Sequence, residues 1–126
     1  MITIDHIGLP AQANEDAARH LAHILGTGYD GPDRNFAPVH VNPHLTIDFY
    51  TAEHCEPLHI AFLADNEEFD AIVQRLRALA IPYGNDPNDP ANGHLDHPLA
   101  PRGLYFRTPD GHLIEVITPP AATTPR

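Results

Sequence analysis

The chain has 126 residues, the size of one domain, and with 42% apolar and 19% charged residues it has the material for a packed core, not the profile of a disordered segment. Its formal charge is -10 and its seven basic residues are scattered arginines, which excludes a nucleic-acid phosphate backbone as partner. No apolar stretch nears the ~20 residues of a membrane span, no basic-then-apolar leader opens the chain, and Cys55 is the single cysteine, so a cytoplasmic protein without disulfides is expected.

Ile2 to Leu9 alternates branched apolar residues with others and closes at Pro10, which predicts a first strand carrying His6. From Glu15 to Leu25 the apolar residues Ala17, Ala18, Leu21, Ile24 and Leu25 recur at helical spacing, with Asn14 as N-cap and Gly26 as stop. Phe36 to Val41 and Leu45 to Tyr50 read as a hairpin around Asn42-Pro43. Leu58 to Leu63 is a further strand. Asp65 and Glu68 then fit a capping box opening a helix whose stripe is Phe69, Ile72, Val73, Leu76 and Leu79, ended by Pro82. Pro87 to Arg102, rich in Pro, Asn, Asp and Gly, predicts a long functional loop. The strands Gly103 to Arg107 and His112 to Thr118 flank a Pro109-Asp110-Gly111 turn, and a frayed tail is expected over 119–126.

The two halves repeat this order, with His6 and His59 at matching places. Gly28-Tyr29 is echoed by Pro82-Tyr83, and His44-Leu45 by His112-Leu113, which suggests an internal duplication. Along their strands His6 shares a face with Ile4 and Gly8, His59 with Ala61, and Glu115 with Leu113 and Ile117. Each polar group interrupts an apolar row, and burying one without a partner costs several kcal/mol, so it must be at the surface or share a ligand. One cation would satisfy all three. Two imidazoles and a carboxylate also leave positions open on Fe(II) or Mn(II) for substrate. Any one of ten histidines is more often exposed or hydrogen-bonded than ligating, and scattered ligands do not identify a site by spacing.

Asp5-His6-Ile7-Gly8-Leu9, Leu58-His59-Ile60-Ala61-Phe62 and the run from Gly103 to Glu115 together resemble the vicinal oxygen chelate superfamily, over nearly the whole chain to Thr118. That group includes glyoxalase I, extradiol dioxygenases, fosfomycin-resistance thiol transferases and bleomycin-resistance proteins. The resemblance implies an α+β fold of two βαβββ modules, 1–55 and 56–118 of one domain 1–118, forming a curved mixed-sheet cup and pairing as a homodimer. It implies His6, His59 and Glu115 as ligands of a divalent ion (Fe, Mn, Ni or Zn), drawn from one or both subunits, with two metals per dimer.

Tyr105, ten positions before Glu115 on the neighbouring strand, matches a tyrosine that points into the cup of fosfomycin-resistance proteins. It would donate a hydrogen bond, or act as acid or base if its pKa fell, unless it is simply a packed aromatic. Arg107 on its face would hold a substrate anion or form a rim salt bridge. His94, His97 and Arg102 lie on the long loop, where His97 is the candidate proton shuttle and Arg102 a substrate contact. Asp48, or Ile47 in the other register, falls where glyoxalase I has an additional carboxylate ligand. His40 and His44 flank the hairpin turn and are expected in solvent.

The basic residues of fosfomycin enzymes and the glutathione-binding arginines of glyoxalase I have no clear counterparts, and extradiol dioxygenases are generally longer. The expected activity is therefore the common one: an open-site ion chelates two neighbouring oxygens of a small substrate and stabilises an enolate or alkoxide. The competing class is a non-catalytic antibiotic-sequestering protein like the bleomycin-resistance proteins; a vestigial or structural metal is a third reading.

Overall fold

The structure, a computed structural model, describes residues 1–120. Its elements in chain order are β1 (His6–Ala11), α1 (Asn14–Leu25), β2 (Phe36–Asn42), β3 (Leu45–Thr51), β4 (His59–Leu63), α2 (Asn66–Ala78), β5 (Gly103–Arg107) and β6 (Leu113–Ile117). This is a mixed α+β fold of two helices and two three-stranded sheets. Among the described residues no helix is long and apolar enough to cross a membrane. The chain divides into two compact units, the first being Met1–Leu58 with Thr108–His112 and the second His59–Arg107 with the residues from Leu113.

In the first unit the strand order is β1-β3-β2, with β1 parallel and β2 antiparallel to β3. The hairpin forms because the Asn42 side-chain oxygen accepts the N–H groups of His44 and Leu45 at 2.8 and 3.0 Å. Helix α1 buries Ala18, Leu21, Ala22 and Ile24 and stops at Gly26, whose φ of 79° is the left-handed cap. Asn14 is the first helical residue instead of the N-cap, because its amide is turned to the carbonyls of Asn35 (3.2 Å) and Phe49 (3.4 Å); Ala13 stands at the cap position. Strand β1 begins at His6, not Ile2, and runs through Pro10. At a sheet edge a proline's missing N–H removes no ladder bond, so Pro10 does not end the strand.

The second unit has the same plan: order β4-β6-β5, β4 parallel and β5 antiparallel to β6. The shared pairing supports the repeat read from the sequence. Asp65 and Glu68 form the expected capping box, and α2 buries Phe69, Ile72, Val73 and Leu76. Leu79 is the C-cap and 43% exposed instead of continuing the stripe, since Ala80 turns the chain at φ 55°.

Among the described residues each unit is βαββ, one strand short of the βαβββ module expected. Between α1 and β2 the positive φ angles of Gly28, Gly31 and Arg34 break extension. In the second unit Gly84 exchanges two bonds with Tyr105 (3.1 and 2.6 Å) as an isolated bridge, and the loop then departs. That loop is braced by its own amides. Asn92 bonds the Asn85 side chain at 2.8 Å, Asn85 donates to the Asp96 carbonyl at 2.6 Å, and Gly103 N–H donates to the Leu95 carbonyl at 2.8 Å. Of the tail, residues from 121 on lie outside the described part.

Candidate functional site

The second unit gathers its polar groups around one carboxylate. Glu115 sits on β6, the central strand, its Cα paired with Ala61 of β4 and Tyr105 of β5. The central position leaves it 7% exposed. Its Oε1 lies 2.9 Å from Nε2 of His59, which opens β4 and has a half-exposed side chain. Its Oε2 lies 2.8 Å from Nε2 of His97, whose side chain is 1% exposed. The same His97 nitrogen is 3.3 Å from the Tyr105 hydroxyl, and the two rings stack with centroids 5.7 Å apart. His59 tilts toward Tyr105 at 6.0 Å.

Burial, and after it the neighbouring Glu115 carboxylate, pushes the Tyr105 phenol above its ordinary pKa. The phenol therefore keeps its proton at neutral pH and is a donor, not a base.

In the first unit His6 opens β1, and Asp48 on β3 pairs with Gly8 and Pro38. Asp48, not Ile47, takes the register position that Glu115 has in the other sheet; Ile47 is in the core. His6 is largely exposed, with Nδ1 2.9 Å from Asp5. That hydrogen bond raises its pKa, burial opposes it, and the charges of Asp5 and Asp48 add to the rise.

Arg102 is taken up by α2: it bonds Asp70 at 2.5 Å and Asn66 at 3.5 Å and lies over the Phe69 ring at 4.5 Å. The expected substrate contact is thus engaged with the helix. Arg107 stands exposed at the end of β5, on the face of Tyr105. His94, His40 and His44 are exposed, as expected for the two hairpin histidines. By sequence His112 opens the last strand. It is fully buried, accepting the Leu58 N–H at Nδ1 (3.0 Å) and donating from Nε2 to the Pro10 carbonyl (2.8 Å), a backbone staple. A concavity of about 500 Å³ lined by Asn14, Glu15, Arg34, Phe36 and Tyr50, among others, includes none of the predicted site residues.

Among the described residues no group of three or more His, Cys, Asp or Glu is arranged as a ready metal cage. The His59–Glu115 pair nonetheless has the right donors, an imidazole nitrogen and a carboxylate oxygen that now share a hydrogen bond which an ion can replace. His59 and Glu115, two of the three expected ligands, belong to the second unit, and the third, His6, to the first.

A family model described as Glyoxalase/Bleomycin resistance protein/Dioxygenase superfamily matches residues 3–116. Among solved structures the chain is similar to Oxidase ChaP-H1, at 31% identity and a TM-score of 0.88, covering 98% of this chain and 100% of that one. Oxidase ChaP-H2 is alike at 31% and 0.88, covering 97% of each chain. The fold is shared with the fosfomycin resistance protein FosX from Mesorhizobium loti (22%, TM-score 0.67, 96% of each chain). It is shared too with TnmS3, an antibiotic binding protein from Streptomyces sp. CB03234 (18%, 0.69, 94% of this chain and 97% of that one). A search of curated proteins finds no match.

Proposed function

Since the chain belongs to the glyoxalase/bleomycin resistance protein/dioxygenase superfamily, we propose that it is a divalent-metal-dependent oxidase or dioxygenase for a small substrate with two neighbouring oxygens. The observation that carries this reading is the buried Glu115 carboxylate meeting His59 at 2.9 Å directly across the ladder from Tyr105. The oxidative direction is supported by the two similar proteins at 31% identity, both oxidases by name.

His59, Glu115 and His6 would hold the ion, in a homodimer that can draw ligands from either copy. The bound ion supplies Lewis acidity toward the substrate oxygens and, as Fe(II) or Mn(II), an electron-transfer site for dioxygen. Tyr105, held as a phenol, donates a hydrogen bond to a substrate oxygen where negative charge develops. Arg107, on the same face of β5, holds an anionic group of the substrate.

The test is oxygen uptake by protein loaded separately with Fe(II) and Mn(II), with catechols and with hemithioacetals. Catechol-dependent uptake, lost in Glu115→Gln, supports an oxidase. Hemithioacetal turnover without uptake would replace it with an isomerase. Tight ligand binding by metal-free protein would favour a non-catalytic binding role instead, TnmS3 being an antibiotic binding protein.

A further inference from the structure

Imidazole has two nitrogens, and in the neutral ring only one bears a proton. In His97 the backbone decides which. Leu99 donates its N–H to Nδ1 at 3.0 Å, and a nitrogen that accepts an N–H cannot carry a hydrogen of its own. The ring proton is therefore on Nε2, and this nitrogen faces Glu115 Oε2 at 2.8 Å. A protonated nitrogen has no lone pair to offer an ion. The same reasoning means that His97 cannot accept the Tyr105 hydroxyl hydrogen, which stays available to the carboxylate or to substrate.

The seat of this ring is built. A Cβ on Gly103 would lie 2.5 Å from His97 Cδ2 and 2.7 Å from Cγ, so the imidazole rests on bare backbone where no larger residue fits. The His97–Ala100 bridge and the Asn85–Asn92 amide pair close the loop that delivers it.

We propose that His97 is a positioning residue: a loop-borne donor, locked in one tautomer, that fixes Oε2 of Glu115 and leaves Oε1, the oxygen facing His59, to ligate. Its effect on metal affinity rests on the metal reading above; the tautomer and the grip on Glu115 do not. Donors of this kind orient a ligand, and removing one typically costs about 10–100-fold in metal affinity.

Two variants separate the ring's two bonds. His97→Asn keeps an acceptor near Nδ1 for Leu99 and removes the donor to Glu115; His97→Gln keeps a donor near Nε2 and removes the acceptor. Zn(II) calorimetry should show His97→Asn weakened by about 10–100-fold and His97→Gln close to wild type. Equal loss in both, or loss in His97→Gln alone, would overturn the proposal in favour of a ligand or a loop latch. Ring-nitrogen NMR of wild type should find Nε2 protonated and Nδ1 bare, both metal-free and with Zn(II). Loss of the Nε2 proton on adding Zn(II) makes His97 a ligand and also overturns it. If wild type takes no metal, the ligand set proposed above fails, and the metal-free spectrum alone decides this inference: a proton on Nδ1 refutes it. The spectrum also decides if His97→Asn does not fold.

Discussion

Asp48 and Glu115 occupy the same register position in two sheets of identical strand order. Gly8, two residues on from His6, pairs with Asp48, and Ala61, two residues on from His59, pairs with Glu115. The matching register thus gives each unit a histidine and a carboxylate, but their surroundings differ. Glu115 is buried with Tyr105 opposite it, whereas Asp48 is half-buried with Pro38 in that place. Glu115→Gln is expected to weaken Mn(II) binding by more than about a hundredfold and Asp48→Asn by no more than about tenfold. Calorimetry giving equal losses would mean that the two units contribute alike.

The hydrogen bond from Asp5 raises the His6 pKa, with the charges of Asp5 and Asp48 adding to it. A ligand must be neutral, so protons compete for His6 up to a higher pH than for an ordinary histidine. Metal affinity should fall as the pH drops through that raised value. Asp5→Asn should carry tight binding to lower pH, read from affinities across a pH series; an unchanged profile would remove His6 from the ligand set.

Gly103→Ala puts a methyl group into the His97 ring. Overpacking of this kind costs about 1–3 kcal/mol, and the ring must leave Glu115 to relieve it. The variant should therefore lose stability in urea and lose metal affinity together, with faster proteolysis of the loop. A stable variant with wild-type affinity would show that the ring has another resting place.

His20 on α1 has a buried Nε2 with no hydrogen-bond partner among the described residues. Burial lowers its pKa below 6.5, with His23 adding to the effect. Above the ordinary value both folded and unfolded chains are neutral, and below it the unfolded chain takes the proton more readily, so stability falls as the pH falls. Replacing the unpaired group by leucine should stabilise by about 1–2 kcal/mol at about pH 7.5 and by more at about pH 5. Urea unfolding at the two pH values measures the difference; an equal gain at both would contradict the linkage.

Much of this arrangement was legible in the sequence where it depends on local rules. Helical spacing predicts both helices, Asp65 and Glu68 predict their capping box, and strand alternation puts Tyr105 on the strand beside Glu115. What was not legible depends on residues far apart. The bond from His97 to Glu115 spans 18 positions and exists because Asn85, Asn92 and Gly103 shape the loop between. The engagement of Arg102 spans 32 positions to Asp70, and the burial of His112 spans 102 to Pro10, so neither leaves a periodic trace. Strand ends also escaped, since Pro10 reads as a stop until β1 is known to be an edge.

In the proposed site His59 and Glu115, with His6, hold a divalent ion. This is tested most directly by plasma mass spectrometry of protein incubated with Fe(II), Mn(II), Ni(II) and Zn(II) and then desalted, beside His59→Ala and Glu115→Gln. Wild type should retain about one ion per chain for at least one of these metals, and either variant almost none. A wild type that emerges metal-free, or variants that retain the ion in full, would contradict this ligand set.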